Sequence, residues 1–374
     1  LEIKNINSIH PWQQQTRITQ LEASALLDHS QTLVRPSKST KASFRKFMAE
    51  APLRIEQLSV RQIESPSTIY HSGPSGELRK KFLESLQGAK KSIECMTFTF
   101  SDPEILNLLL QKASEGIRVT VAIDRGHMQA LLPYKDKINI VTRDEGEGRV
   151  HHKVTVIDGE QVWIGSANFS PDALLKQSNT MLHLRNKELA QAMHEEIEAF
   201  SSLRTRNPTL LPPIQVEGQT IELLLFPHVP FDAINPPEKA LNEAGKQRII
   251  DMINNAHSSI RLAVCVWTDM DLAKTVVDAK KRGVEVEVLF WKRADSAQVA
   301  SYFDAAGIRV IEKPNLHLMH NKWMLVDNER FLNCSANWSK SWFSRNDESA
   351  IILNNLTPSQ KQFVNDYWNE LLLS

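Results

Sequence analysis

The feature that most constrains this chain is that it nearly repeats itself. AKKSIECMTFTFSD, around Ser92 and Ile93, is matched by AHSSIRLAVCVWTD, around Ser259 and Ile260, 167 positions later. Each stretch leads into a segment of helical spacing that ends in glycine: Gly116 introduces IRVTVAID and Gly283 introduces VEVEVLFW. A third pair, STIYHSGP and TIELLLFP, matches at a smaller offset, which places extra residues near HVPFDAINPPEKALNE in the second half. A duplicated unit of this size must fold as two similar bodies or one two-lobed one.

Each half reads as strand, helix, strand, an irregular stretch, and then a β-rich motif followed by a long helix. SIECMTFTF is rich in strand formers and bounded by Asp102-Pro103, PEILNLLLQKASEG has helical periodicity, and RVTVAID is a short buried strand. KELAQAMHEEIEAF and SQKQFVNDYWNELL are the closing helices. Alternating β and α elements predict an α/β fold: two tandem lobes related by a pseudo-two-fold axis, each a mixed β-sheet flanked by helices. The expected boundaries are lobe 1 over 66–210 and lobe 2 over 218–374, with a proline-rich linker at 204–219. Residues 1–65 have no partner in the repeat. They read as an N-terminal helical extension, with helices around Ile18–His29 and Lys41–Ala51.

The motifs that close the two halves are HHKVTVIDGEQVWIGSANFS at 151–170 and HNKWMLVDNERFLNCSANWS at 320–339. In the first, strand alternation would put His151 and Lys153 on one face, Asp158-Gly159 makes the turn, and WIGSAN returns with Ser166 and Asn168 beside them. The second repeats this with His320, Lys322, Asp327, Ser335 and Asn337, and has Cys334 where the first has Gly165. A lysine, an amide and a hydroxyl suit the non-bridging oxygens of a phosphate, and histidine can attack or exchange protons near neutral pH. One His-x-Lys could be chance on a solvated strand. Two copies at equivalent places in an independent repeat predict one shared site, with two His flanking a single phosphorus.

These residues resemble the phospholipase D superfamily, whose signature H-x-K-x-x-x-x-D followed by G-S-x-N occurs twice in monomeric members. The likeness covers about residues 66–374. It implies one site at the lobe interface, a phosphohistidine intermediate, and a monomer with both motifs in one chain. Carried over, His151 and His320 are the catalytic pair, with His151 as nucleophile. Lys153, Lys322, Asn168, Asn337, Ser166 and Ser335 bind the phosphate, and Asp158 and Asp327 support the strand–turn architecture. Glu348 matches the family carboxylate that orients a catalytic His. At the position taken as its counterpart, lobe 1 has Met181, so one His is expected to lack such a partner.

The substrate is less constrained. The 44 basic and 44 acidic side chains cancel, which weakens a nucleic-acid reading without removing it. A phospholipid phosphodiester is the favoured substrate, with Phe169, Trp323, Trp338, Trp342 and Phe343 near the motifs as contacts for acyl or glycerol groups. The alternative is a nuclease, for which Arg79, Lys80, Lys81, Lys90 and Lys91, and Lys280, Lys281, Arg282, Lys292 and Arg293, are the basic clusters. A catalytically dead scaffold is disfavoured by two complete His-Lys pairs. No zinc or calcium ligand spacing occurs, so neither metal nor cofactor is expected. No stretch approaches the roughly 20 apolar residues of a membrane span. A soluble protein compatible with peripheral membrane contact is expected. The chain starts with Leu, not Met, which leaves a removed signal peptide, and a secreted or periplasmic location, open. Cys95, Cys265 and Cys334 are too few for a disulfide framework and are expected as core thiols.

Overall fold

The computed structural model describes residues 67–143, 148–202, 211–229, 237–313 and 317–373. The two helices expected before residue 66 lie outside the described residues.

Lobe 1 runs β1 (Ser67–His71), α1 (Leu78–Gln87), β2 (Ser92–Thr97), α2 (Pro103–Ser114), β3 (Arg118–Ile123), β4 (Asn139–Val141), β5 (Lys153–Ile157), β6 (Gln161–Gly165), the short α3 (Pro171–Leu175), β7 (Thr180–Arg185) and α4 (Lys187–Ser202). Lobe 2 follows with β8 (Ile214–Val216), β9 (Gln219–Phe226), α5 (Pro237–Asn254), β10 (Ser259–Val264), α6 (Met270–Lys281), β11 (Glu285–Phe290), α7 (Ala297–Ala305), β12 (Arg309–Glu312), β13 (Lys322–Val326), β14 (Arg330–Cys334), β15 (Glu348–Asn354) and α8 (Pro358–Leu373). Ile214–Val216, within the stretch read as linker, is thus an edge strand of the second sheet.

The first sheet has the order β1-β7-β6-β5-β2-β3-β4, and the second repeats it as β9-β15-β14-β13-β10-β11-β12, with β8 added beyond β9. In each, the β2-type strand is parallel to the β3-type strand and antiparallel to the motif strand, so both sheets are mixed. The expected α/β architecture of two like lobes is what forms.

The repeat extends to the devices that start and stop helices. Asp102 caps α2 by accepting from the Glu104 and Ile105 amides, and Asp269 caps α6 through Asp271 and Leu272. Each cap is also held by a cation from the preceding helix, Arg79 and Lys246 respectively. Gly116 and Gly283 follow α2 and α6 at φ 85° and 94°, the left-handed turn that lets the chain re-enter the sheet.

Three apolar clusters hold the layers. Helices α1 and α2 cover one face of the first sheet through residues such as Phe82, Leu86, Ile105 and Leu109. Helices α5, α6 and α7 cover one face of the second through Ile249, Leu272, Val276 and Phe303. The third cluster is shared: strand residues Val154, Val156, Trp323 and Leu325 of both lobes meet Met193 and Ile197 of α4 and Val364 and Trp368 of α8. Burial of this common core makes the two lobes one body, within a compact unit spanning Glu64–Ser374. Among the described residues, no helix is long and apolar enough to cross a membrane. All three cysteines are free and buried.

Candidate active site

The two motif hairpins meet end to end where the sheets abut, and short parallel bridges join the lobes on either side. One pairs Val150 with Asp347, the other Ser178 with Met319. The His151 amide donates to Asp347 O at 2.9 Å and the His320 amide to Ser178 O at 2.8 Å. Each histidine is therefore fixed by backbone of the opposite lobe. Both lie just before their strands, since β5 and β13 begin at the motif lysines. Ser166 and Ser335 likewise sit just past the ends of β6 and β14.

The side chains also exchange partners across the interface. His151 Nδ1 is 2.9 Å from Glu348 Oε2 of lobe 2. Burial pushes this carboxyl up, but His151, Lys153 and the Ser335 hydroxyl outweigh it and hold Glu348 below its usual value. An ionised carboxylate can only accept, so His151 donates from Nδ1 and keeps its lone pair on Nε2. Asn346 Nδ2 donates to the other carboxylate oxygen at 2.9 Å, and Ser335 Oγ donates to the first.

His320 makes the mirror contact with a different residue. Its Nδ1 is 2.9 Å from Asn179 Oδ1 of lobe 1. Asn179 Nδ2 donates to Ala173 O at 2.9 Å, which turns the amide oxygen toward the imidazole. Ser166 Oγ donates to that same oxygen at 3.0 Å, as Ser335 does to Glu348. The counterpart of Glu348 is therefore Asn179, thirteen positions after Ser166 as Glu348 is after Ser335. The expected counterpart, Met181, is a buried core residue paired with Gly165 in the sheet. Neither histidine lacks a partner: one has a carboxylate and the other a neutral amide.

Lys153 and Lys322 are fully buried. Each ammonium donates to the carbonyl of its own motif histidine, Lys153 to His151 O and Lys322 to His320 O, which leaves further N–H donors on each. Burial lowers both: Lys322 to about 8, and Lys153 well below its ordinary value, with Lys322 adding to the effect on Lys153. His151 is pushed down to about 4, by burial first and by Lys153 and Lys322, against the pull of Glu348. His320 is also held well below its ordinary value by burial, then by Lys322, Lys153 and His151, with no carboxylate among its causes. Each histidine is thus within electrostatic reach of the other motif's lysine. Asn168 and Asn337 each have an enclosed side-chain oxygen without a hydrogen-bond partner.

An open cleft of about 370 Å³ leads to His151 and Glu348, with Asn337, Ser339, Arg149 and Arg345 along it. Among the described residues, no group of three or more His, Cys, Asp or Glu side chains is placed to hold a metal ion.

The motif aspartates stand at the far ends of β5 and β13. Asp158 (φ 57°) accepts from the Lys90, Lys91 and Ser92 amides, and Asp327 (φ 55°) from His257, Ser258 and Ser259. These bonds outweigh the opposing effect of burial and lower Asp327 to about 2. Both residues tie a turn to the strand that pairs with the motif strand, away from the histidines.

The aromatic residues expected to touch a lipid do not reach the cleft. Trp323, Trp338, Trp342 and Phe169 are buried, Trp323 against Phe331 and Trp368 in the shared core. Phe343 stacks on Trp342. Alternation within a short strand is satisfied on both faces here, because each sheet is covered on both sides. The aromatic that does meet the site is Phe98, 5.3 Å from the His151 ring. In the basic clusters, Arg79, Lys80, Lys81 and Lys281 pair with carboxylates on their own or the adjacent helix, and Arg282 binds carbonyls at the end of α5.

Residues 82–201 and 249–371 each match the family described as cardiolipin synthase, PLD-like domain, and together cover well over half of the chain. The chain belongs to the phospholipase D superfamily. A mitochondrial cardiolipin hydrolase from Xenopus laevis is 31% identical over 122 residues, 32% of this chain and 58% of that protein. Cardiolipin synthase 2 from Bacillus anthracis is 24% identical over 328 residues, 79% of this chain and 63% of that protein. Neither alignment reaches two thirds of the relative's length. Among solved structures, the phosphatidylserine synthase of Haemophilus influenzae Rd KW20 superposes with a TM-score of 0.63 at 14% identity, covering 82% of this chain and 85% of that one. At that identity the phospholipase D fold is what the two share.

Proposed function

We propose that this chain cleaves a phosphodiester of a phospholipid, by hydrolysis or by transfer to an alcohol, through a phosphohistidine on His151. The observation that carries the reading is the exchange of partners across the interface, His151 with Glu348 and His320 with Asn179. The lipid assignment rests on the family and its relatives.

The two environments divide the labour. As His151 Nε2 attacks phosphorus, positive charge develops on its ring, and the Glu348 carboxylate at Nδ1 stabilises it. His320 has only a neutral amide at Nδ1, so its protonated form is poorly stabilised and gives up its Nε2 proton readily to the leaving oxygen. The bound phosphodiester, itself an anion, offsets the lysines that depress His320 and lets it take up that proton on binding. Lys153, Lys322 and the amides of Asn168 and Asn337 hold the equatorial oxygens. In the second half, neutral His320 takes a proton from water or an alcohol, whose oxygen displaces His151 from phosphorus.

The test is cleavage in EDTA of four substrates side by side: phosphatidylcholine vesicles, cardiolipin vesicles, bis-p-nitrophenyl phosphate and single-stranded DNA, with His151→Ala as control. Release of a lipid headgroup or phosphatidic acid, lost in the variant, supports the reading. DNA cleavage without lipid cleavage would replace it with the nuclease, and undiminished activity in His151→Ala would remove the nucleophile.

A further inference from the structure

The histidine that follows His151 has no part in the chemistry above. His152 is fully buried, and neither of its ring nitrogens has a hydrogen-bond partner among the described residues. Its Nε2 lies 3.5 Å from Glu196 Oε1 of α4, beside Met193 and Ile197 of the shared core. The hydroxyl of Ser349, the residue after Glu348, is also enclosed and also lacks a partner among the described residues. Buried polar atoms are nearly always paired, so three orphaned ones next to His151 and Glu348 call for an account.

The internal repeat supplies one. The bridge between Val150 and Asp347 recurs as the bridge between Met319 and Ser178. One residue beyond each bridge a motif histidine meets its partner, His151 with Glu348 and His320 with Asn179. Two residues beyond the second bridge stand Asn321 and Thr180. There Asn321 Oδ1 accepts from Thr180 Oγ1 at 2.7 Å, and its Nδ2 donates to Tyr367 Oη of α8 at 2.9 Å. The same positions beyond the first bridge are His152 and Ser349. Glu196 stands where Tyr367 does, because buried Met193, Glu196 and Ile197 of α4 have the spacing of buried Val364, Tyr367 and Trp368 of α8. The satisfied chain Thr180–Asn321–Tyr367 thus has Ser349–His152–Glu196 as its counterpart.

We propose that Glu196, His152 and Ser349 close into a buried hydrogen-bond relay, which makes His152 a positioning residue for His151. This rests on the reading of His151 as nucleophile. Glu196 accepts from His152 Nε2, and the Nδ1 lone pair accepts from the Ser349 hydroxyl. A small turn of the ring and of the hydroxyl pairs all three orphaned atoms. A carboxylate and an imidazole buried together are costly unless their bonds are complete, which favours the closed relay over a loose pair. The His151–Glu348 contact is held on one side by the bond from the His151 amide to Asp347 O. The relay holds it on the other side and ties both strands to α4. Without the relay the two lobes are pinned on one side of the reacting imidazole only, and misalignment there costs on the order of tenfold to a hundredfold in turnover.

Histidine-selective 15N labelling of the full chain tests the relay without any substrate. One imidazole should show a slowly exchanging Nε2 proton and a hydrogen-bonded Nδ1. That signal should vanish in His152→Asn/Glu196→Tyr, and its Nδ1 shift should move in Ser349→Ala. Absence of such an imidazole, or an Nδ1 shift untouched by Ser349→Ala, would overturn the relay. Turnover of bis-p-nitrophenyl phosphate tests the positioning, with thermal melts to confirm that each variant is folded. Ser349→Ala, which removes one oxygen and leaves Glu348 in place, should lower kcat about tenfold or more and change KM by less than about twofold. His152→Ala should do the same. His152→Asn/Glu196→Tyr, which gives this side the pair present on the other, should bring kcat back to within about threefold of the parent. Unchanged kcat in folded Ser349→Ala, or no recovery in the folded double variant, would overturn the positioning role. A parent that leaves bis-p-nitrophenyl phosphate intact would overturn the catalytic reading and not the relay, which the imidazole signals decide on their own.

Discussion

Glu348→Gln is the most informative single change at this site. Glu348 is 1% exposed and receives three hydrogen bonds, from His151 Nδ1, Ser335 Oγ and Asn346 Nδ2. Glutamine is nearly isosteric, and its carbonyl oxygen can take the position that serves both His151 and Ser335. The Asn346 amide then turns to accept from the new NH2, giving up its 3.2 Å bond from the Arg149 amide. The shape is kept and the charge removed. Replacing a charge-assisted bond with a neutral one loses about 1–2 kcal/mol. The positive charge that develops on His151 in the transition state loses a carboxylate about 4 Å away, worth at most about 4 kcal/mol at an effective dielectric near 20. The combined expectation is about 2–4 kcal/mol, or a fall in kcat of about 30-fold to 1,000-fold, because 1.36 kcal/mol is tenfold. KM should move little, since Glu348 lies behind the imidazole and not against the phosphate. Stopped-flow release of p-nitrophenol resolves the step: the burst, which reports attack by His151, should slow by that factor. A burst rate within threefold of the parent would refute the assignment of Glu348 as the stabiliser of the nucleophile.

Three further outcomes follow from the same geometry. Asn179→Asp gives His320 a carboxylate 2.9 Å from Nδ1; this raises its pKa and weakens it as an acid, so the alkaline limb of the kcat/KM profile should move up by about one unit while kcat falls for poor leaving groups. Tungstate binding at pH 7 should be accompanied by net proton uptake, seen as a buffer-dependent calorimetric enthalpy, because burial and neighbouring cations hold His151, His320 and Lys153 below their ordinary values and an anion raises all three; His320→Ala should reduce the uptake. Asp327→Asn should destabilise the fold by about 1–2 kcal/mol at neutral pH, with little effect on kcat of the folded fraction. Because the native Asp327 is lowered to about 2, its contribution is full above the unfolded carboxylate value and is lost as pH falls toward about 2, so the urea midpoints of parent and variant should converge in acid.

Much of this was readable in the chain because it is duplicated. A repeat exposes strand order: two segments that recur at one spacing must occupy equivalent places, which is why the sequence of sheet, helix and motif in each half could be laid out before any contact was known. The motif residues were legible for the same reason. What was not legible came from across the interface. Glu348 could be linked to a histidine, but that it serves the opposite lobe's His151 depends on how two bodies dock. Asn179 was open to discovery by counting, since Asn179 follows Asn168 at the interval by which Glu348 follows Asn337. Only the interval marks it, because an amide stands where the other half has a carboxylate. The tryptophans misled for a physical reason. Proximity in sequence to a motif residue says nothing about direction when both faces of the sheet are packed, and Trp323 points into the shared core while Lys322 turns back to the His320 carbonyl. Phe98 and Arg149 carry no motif of their own, and only the folded chain brings them to His151.

The central claim is that both histidines act on one phosphorus with His151 as the nucleophile. Rapid quench into alkali, where a phosphoramidate survives, with a 32P-labelled diester bearing a good leaving group, followed by peptide mapping, tests it most directly. The label should appear on the peptide containing His151, accumulate in His320→Ala, where the second half of the reaction is slowed, and be absent from His151→Ala. Label on the peptide containing His320, or turnover without label on either histidine, would contradict the account.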